Sequence, residues 1–462
     1  MNPVILGLLA FILLQLGIGV AVSRKIRNED DYLLAGRSLG PVLVCLSVFA
    51  TWFGAETCIS SASGLYENGL AGGAAEPFGY GLCIIFYGAA FALPLWKKQV
   101  TTLGDWFRLR YSPGVEKITA ALLAITSLFW ASAQIRAFGQ VLTASTQIDV
   151  RLAILLAASV AIIYTSLGGL RADVITDVFQ GGIIILGLLM LLALVLHDIG
   201  GPVAAWNAIE PARLNLLPPD VSAWERIETW LVPVFGSVTA QELAARSLAA
   251  RSPQTARNAT IAGGSLYILV GAIPAFLGLI APSLLPELKD AEQVLPALAQ
   301  NYLPTFAYIL FAGALISAIL STVDSSLLAA SALITHNLLP KNQTPDRHNL
   351  RLARIGVITC GALACTLALS ANSIYELVET SSSFGGAGLF ILITLGMLSR
   401  RGGKTAAAAA LIGAALTWIL CSQIESYPAP YTTSLAIGLT CYLACTVLPQ
   451  KPNRAKPNIN PK

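Results

Sequence analysis

Three apolar stretches hold most of the residues in this chain that could do chemistry. In the first, Ser47-Val48-Phe49-Ala50-Thr51-Trp52-Phe53-Gly54-Ala55-Glu56-Thr57 places hydroxyls, a glycine and a carboxylate in the middle of a segment otherwise suited to burial. A helix unwound there would present bare carbonyl oxygens that can replace an ion's water shell, which a membrane tolerates only where they line a protected cavity. A continuous helix with small residues for tight packing fits the same letters. The second stretch, Val232-Pro233-Val234-Phe235-Gly236-Ser237-Val238-Thr239-Ala240-Gln241-Glu242, has the same character, with Pro and Gly interrupting a helical pattern. In the third, Ala318, Ser321, Thr322 and Ser325 share one helical face with Asp324 at its edge. Back-bonding to the preceding turn accounts for the hydroxyls alone. It does not account for Asp324, because a carboxylate inside a span costs at least about 2.5 kcal/mol without a partner.

The elements that position these residues must be membrane helices. Of 462 residues 55% are hydrophobic and only 12% are charged, and the mean hydropathy is +0.69, well outside the range of water-soluble globular chains. Apolar stretches of about 20 residues recur almost end to end, each long enough for a bilayer core about 30 Å thick, and none alternates as a strand would. The chain is therefore expected to be an all-α integral membrane protein with thirteen spans, near 3–22, 41–66, 73–96, 118–146, 152–168, 174–197, 228–249, 260–282, 304–338, 351–370, 376–399, 405–424 and 431–448. Residues 1–448 form one transmembrane domain in this reading, followed by a basic tail over 449–462. Enzyme chemistry has no foothold, since the eight cysteines include no CxxC and the three histidines no HExxH, and neither a Walker loop nor GxSxG occurs.

Charge sets the expected topology. The first span is preceded by no cation and followed by Arg24, Lys25, Arg27 and Arg37, so it reads as an anchor with the N-terminus outside. All 29 Lys and Arg except Arg136, Arg151, Arg213, Arg226 and Lys289 then fall on the inner side, which puts the C-terminus in the cytoplasm. The net charge of +4 follows from that asymmetry and calls for no nucleic-acid partner. The two interrupted stretches each open a run of five helices, near 41–198 and 228–399, that start on opposite sides of the membrane. Such an inverted repeat is the plan of many secondary transporters, with solute and ion held where the two broken helices meet.

Asp31-Tyr32-Leu33-Leu34-Ala35-Gly36-Arg37-Ser38-Leu39-Gly40, the run Ala50 to Thr57 and Ser321-Thr322-Val323-Asp324-Ser325-Ser326 together resemble the sodium/solute symporter family. Supporting likenesses are Tyr164 to Leu170 and Thr176-Asp177-Val178-Phe179-Gln180, which are similar to the family's helix-turn-helix before its fifth core helix. The resemblance implies a leucine-transporter-type five-plus-five repeat, with one helix before and two after, and sodium-coupled uptake by alternating access. It implies sodium, as a co-transported ion, on the carbonyls of Ala50, Phe53 and Ala318 and the hydroxyls of Ser321 and Thr322. A second cation site would use Asp177, Ser321, Asp324 and Ser325.

For the solute, the local likeness is to the choline-transporter branch, through Ala50-Thr51-Trp52, Phe129-Trp130 and Asp324-Ser325-Ser326, although Ala240 stands where that branch has a further Trp. Residues expected to touch the solute are Trp52, Glu56, Thr57, Glu76, Trp130, Arg136 and Gln241. Trp52 and Trp130 read equally as apolar packing, and Arg136 equally as a structural partner of Glu56 or Glu76. The expected function is symport of a small polar organic solute into the cell, in the plasma membrane, a bacterial inner membrane on this reading. Its partners are sodium, the solute and lipid, and it acts as a monomer or weak homo-oligomer. The alternatives are a proton-coupled carrier of the same fold using Asp177 and Asp324, and a non-transporting membrane sensor.

Overall fold

The computed structural model describes residues 29–447 apart from 55, 74, 147, 217–221, 340–345, 372, 425 and 426, with isolated positions 10, 13 and 17. The expected first span and the basic tail lie outside the described residues, as does the side chain of Glu56. Everything described is helix or connection, save one parallel bridge between Leu39 and Ala250. Among the described residues eight helices are long and apolar enough to cross a membrane, or nine if the bent pair Pro41–Trp52 and Thr57–Ala71 is one span. Helices dominate because lipid offers no partner to a backbone amide or carbonyl, so each segment must satisfy its own.

The helices that position the site run in order as α1 (Pro41–Trp52), α2 (Ser61–Gly73), α3 (Ala75–Tyr87), α4 (Pro113–Thr146), α5 (Val150–Ile199), α6 (Ala223–Leu231), α7 (Gln241–Leu248), α8 (Pro253–Leu284), α9 (Thr305–Ala332), α10 (Asp346–Ser370), α11 (Ile374–Ser383), α12 (Gly386–Leu398), α13 (Lys404–Ser422) and α14 (Pro430–Val447). Proline at the first turn of α1 starts that helix where a missing amide costs nothing. It stops at Phe53, whose backbone leaves the helical region at φ −88° and ψ 62°. Beyond Gly54 the helix resumes with its axis turned by 61°. The bend is held by aromatic packing: the rings of Phe49 and Phe53 lie 4.7 Å apart, and Phe53 meets Tyr267 of α8 edge-on at 5.7 Å.

A second interruption separates α6 from α7. Pro233 sits in a widened π-helical turn, Val232–Gly236, residues 237–239 form a tight turn, and α7 restarts after Ala240 at φ −59° and ψ 122°. Gly236 allows the broken helix to touch the junction of α11 and α12, for a Cβ on Gly386 would stand 2.7 Å from the Gly236 carbonyl oxygen. The two interruptions are tied at one end of the bundle, where the Leu39 amide donates to the Ala249 carbonyl at 3.1 Å and the Arg251 amide to the Leu39 carbonyl at 2.9 Å.

α5 is itself bent. Gly169, at φ +57°, lets the chain turn against Tyr32, whose hydroxyl donates to the Thr165 carbonyl at 2.9 Å. The end of the bundle near this turn is closely bonded. Asn337 accepts from the Thr102 hydroxyl at 2.8 Å and donates to Glu116 at 3.0 Å. Large apolar side chains such as Leu152, Ile163 and Leu186 of α5 face outward, as a helix in contact with lipid tails requires. One sequence expectation is corrected here. Arg246, counted among the cytoplasmic charges, is only 1% exposed, because Asp173 of α5 supplies a buried carboxylate 2.6 Å from its guanidinium.

Candidate functional site

The first break places Trp52 as the last residue of α1, where it joins Tyr80 of α3 and Trp130 of α4. The three rings form a nearly equilateral cluster: Trp52 to Trp130 is 5.6 Å, Trp52 to Tyr80 5.7 Å and Tyr80 to Trp130 5.7 Å. Tyr80 is fixed by its hydroxyl, which shares a 2.7 Å hydrogen bond with Ser382, while Ser237 from the second break donates to the same Ser382 oxygen at 2.9 Å. Next to the two tryptophans lies a small cavity, walled also by Ser127, Ser237, Thr239, Glu242 and Ser381. Both indole N–H groups and one carboxylate oxygen of Glu242 are buried without a hydrogen-bond partner among the described residues. Such groups are costly to leave unsatisfied. A small molecule carrying both an acceptor and a positively charged or donating group would satisfy all three.

Two further cavities are present, one beside Tyr80 and a second that adjoins it. The nearer, about 460 Å³, is lined by Tyr80 together with Glu76, Glu228 and Glu379. The farther, about 1420 Å³ and open to solvent, carries Glu67, Asp290 and Glu292 with Arg136. Thr229 and Tyr375 line both. Glu228 is anchored by the amide of Thr432 at 2.8 Å and by that residue's hydroxyl at 2.6 Å, which fixes its position. Six carboxylates against one guanidinium give these cavities a negative potential.

The second cluster lies where α1, α5, α7 and α9 meet. Asp177 of α5 accepts from Ser47 of α1 at 2.5 Å and from Ser321 of α9, so one carboxylate joins the first broken helix to the hydroxyl-bearing helix. Ser47 lies one helical turn before Ala50 and Thr51. Thr322 bonds back to the Ala318 carbonyl at 3.1 Å, and Thr165 donates to Asp324. Asp173, one turn before Asp177, accepts from Ser321 at 3.1 Å and from Ser325 at 2.9 Å. Arg246 of α7 reaches the same group, 2.6 Å from Asp173 and 3.6 Å from Asp177.

The structure thus brings together Ser321, Asp177 and Ser325, and separately Trp52 and Trp130. Among the remaining solute candidates whose side chains are described, none lines the cavity beside the tryptophans. Gln241 turns away and accepts from the Leu103 amide at 2.8 Å. Thr57 bridges the first break, its hydroxyl meeting the Trp52 carbonyl at 3.3 Å and the hydroxyl of Tyr267. Arg136 stands in the wide cavity, where it donates to the Ala368 carbonyl at 3.4 Å. Glu76 lies in the nearer cavity with Tyr80. Sequence reasoning missed Tyr80, Asp173, Glu242 and Arg246 as members of these clusters. The signal for the last two was present, since charges at 242 and 246 inside an apolar stretch need partners.

A family model described as the sodium:solute symporter family matches residues 32–414. Among curated proteins, the chain is 27% identical to the high-affinity choline transporter 1 of Drosophila melanogaster, over 81% of this chain and 63% of that one. It therefore spans somewhat less than two thirds of that relative's length. It is 26% identical to the sodium/pantothenate symporter of Escherichia coli strain K12, over 95% of each chain. Among solved structures, a Na+-coupled sialic acid symporter in a substrate-bound outward-open state superimposes with a TM-score of 0.81 at 19% identity, over 96% of each chain.

Proposed function

The chain belongs to the sodium:solute symporter family, and from that premise we propose that it imports a small organic cation, by alternating access, on the inward sodium gradient. Thirteen spans in a five-plus-five inverted repeat carry the movement, within one lipid-embedded domain over 1–448, with the N-terminus outside and the C-terminus in the cytoplasm. Sodium sits on the carbonyls of Ala50, Phe53 and Ala318 and the hydroxyls of Ser321 and Thr322. Neutral oxygen ligands suit a monovalent cation that must also leave. The observation that carries the ion site is the shared carboxylate. Asp177 holds Ser47 of the broken helix and Ser321 of the hydroxyl helix at once, so ion binding and the angle between these helices are coupled. At about 2.3 kcal/mol per charge for 100 mV and about 1.4 kcal/mol for a tenfold gradient, one sodium supports accumulation of several hundredfold.

The solute's positive charge is read from the Trp52 and Trp130 rings that line the cavity and the unpartnered oxygen of Glu242, with further carboxylates lining the two neighbouring cavities. Ring faces attract an ammonium by about 0.5–2 kcal/mol each when desolvated. Choline is the substrate named for the fruit-fly relative, and a compact ammonium with one hydroxyl would supply both the charge for Glu242 and an acceptor for an indole. The wide cavity is the outer mouth, and the bonded end around Asn337 is the closed inner gate.

A thermal-shift screen of the purified protein against quaternary amines, amino acids, sugars, sialic acid, pantothenate and nucleobases tests this. A ligand that binds only the folded state raises its stability by mass action. The expected result is stabilisation by a quaternary amine that grows with sodium. Stabilisation by pantothenate alone would overturn the cationic reading. Stabilisation indifferent to sodium, accompanied by uptake on a pH step without sodium, would favour proton coupling through Asp177 and Asp324.

A further inference from the structure

The helix that carries Ala318, Ser321 and Thr322 runs on to the bonded end of the bundle. Past α9 the chain continues through a π-helical turn, Leu333–Leu338, which brings Asn337 there, about four turns beyond Ser321. Asn337 is 5% exposed, and every polar group of its side chain is in use. Its carbonyl oxygen accepts from the Thr102 hydroxyl at 2.8 Å, and its amide nitrogen donates to Asp105 at 3.2 Å and to Glu116 at 3.0 Å. Thr102 and Asp105 form the capping box that starts a short helix, Leu103–Arg110. Glu116 lies in the first turn of α4, the helix of Trp130. Gly104 makes room for the contact, since a Cβ there would stand 2.8 Å from the Asn337 amide nitrogen. The Leu103 amide of the same short helix donates to Gln241, the neighbour in sequence of Glu242 in the tryptophan cavity. One side chain therefore joins the hydroxyl-bearing helix to the elements that carry the solute cavity.

We propose that Asn337 is a positioning residue for coupling: it makes closure of the inner end depend on where α9 stands, so that sodium bound on α9 keeps that end shut while no solute is present. The reasoning is geometric. Asp105 and Glu116 approach one neutral amide from two different elements, and only an amide can donate to both while accepting from Thr102. Without a donor between them the two carboxylates repel; Arg108, 3.6 Å from Glu116, and His336, 3.3 Å from Asp105, serve one carboxylate each. A shift of the end of α9 breaks all three bonds together and leaves buried acceptors unpaired, a penalty larger than the bonds themselves. The end is thus a two-state element, and an ion that fastens α9 to α1 biases it toward the closed state. A small cavity marks what the seal divides. It is lined by Ser325 and Arg246 of the aspartate cluster together with Thr101, Gln241 and Ala329, so opening at Asn337 would join the ion cluster to the cytoplasm.

The inference rests on the sodium site and inner gate proposed above, and a measurement made without any solute separates the two. Ala329 lines the small cavity and is 5% exposed. Ala329→Cys therefore reports opening through its rate of reaction with a charged methanethiosulfonate reagent, read against the same chain without that substitution. In the purified full-length protein carrying Ala329→Cys alone, sodium should slow the labelling. Adding Asn337→Ala removes three bonds from the closed state and should move the balance toward the open one by about tenfold or more, so that labelling is fast with or without sodium. Asn337→Asp keeps the size of the side chain and the acceptor for Thr102 but sets a third carboxylate against Asp105 and Glu116; it should lose the protection as well. Glu116→Gln keeps the oxygen to which Asn337 donates and should keep it. A purely structural defect would lower the melting temperature without changing the ratio of the two labelling rates. Protection that survives in Asn337→Ala or Asn337→Asp, or that disappears in Glu116→Gln, would overturn the proposal. No protection by sodium with Asn337 in place would overturn the sodium-coupled gate itself, and this inference with it.

Discussion

The two interrupted helices do the same geometric job with opposite chemistry. The first break, at Phe53 and Gly54, frees backbone oxygens and is flanked by neutral Ser47 and Thr51. The second, at Ser237 to Ala240, is followed at once by Glu242 and Arg246, one turn apart on α7. Glu242 faces the tryptophan cavity, and Arg246 faces the aspartates of α5. The comparison teaches that the helix leading into the first break carries neutral oxygens, as the proposed ion site requires, while the helix leaving the second carries fixed charges that face both neighbouring clusters. A removable ion needs ligands that bind it moderately; a fixed charge needs a partner it never leaves.

The largest effect should come from unbalancing the fixed pair. Arg246→Ala leaves the buried carboxylates uncompensated and should cost about 3–5 kcal/mol, whereas Asp173→Asn leaves Arg246 with Asp177 at 3.6 Å and should cost less. Thermal melts of the detergent-purified protein should show Arg246→Ala far below the unaltered chain and the double variant above Arg246→Ala. A double variant as unstable as the worse single one would mean that the pair does not act as a unit.

The neutral break is tested next. Ser321→Ala with Thr322→Ala should raise the half-saturating sodium concentration by at least about tenfold, or about 1.4 kcal/mol, as measured in sodium titrations of uptake. An unchanged sodium dependence moves the ion elsewhere. A smaller effect belongs to the cavity between the breaks. Trp130→Leu removes one ring face and should weaken an ammonium solute by roughly fivefold to tenfold, from a cation–π contribution near 1 kcal/mol, with sodium affinity little changed.

The smallest effect lies at the outer mouth. Burial pushes the Glu292 carboxyl above its usual range; the Ile374 amide opposes this, Asp290 adds to it and Arg136 opposes it again. As pH falls through that raised range Glu292 loses its charge, so the mouth becomes less negative and capture of a cation slows. Initial uptake at low solute concentration should therefore drop about twofold on acidification at low ionic strength, a magnitude set by charge steering. The drop should vanish in Glu292→Gln and shrink in high salt as screening grows.

Much of this was legible in the sequence, for identifiable reasons. Gly54 after Phe53, and Pro233 with Gly236, announce helix interruptions because each weakens the local ladder, and the helix is interrupted at both places. The stripe from Ala318 to Ser325 was readable because helical spacing survives any tertiary arrangement. Three things were not readable. Arg246 was assigned to the inner surface, since counting charges cannot distinguish a solvated arginine from one whose partner lies 73 residues away. Gln241 and Glu242 are adjacent, and one residue turns a helix by about 100°, so the restart after Ala240 decides which one faces the tryptophans. Tyr80 sits in an apolar segment with nothing local to mark it, and only the packing of α3 against α1 and α4 completes the aromatic cluster.

The most direct test of the account is uptake of radiolabelled choline into proteoliposomes holding the purified protein, under an inward sodium gradient with the interior negative. The account predicts accumulation well above equilibrium that collapses when potassium replaces sodium on both sides. Equal accumulation without sodium, or no transport of any ammonium solute while an anionic one accumulates, would contradict it.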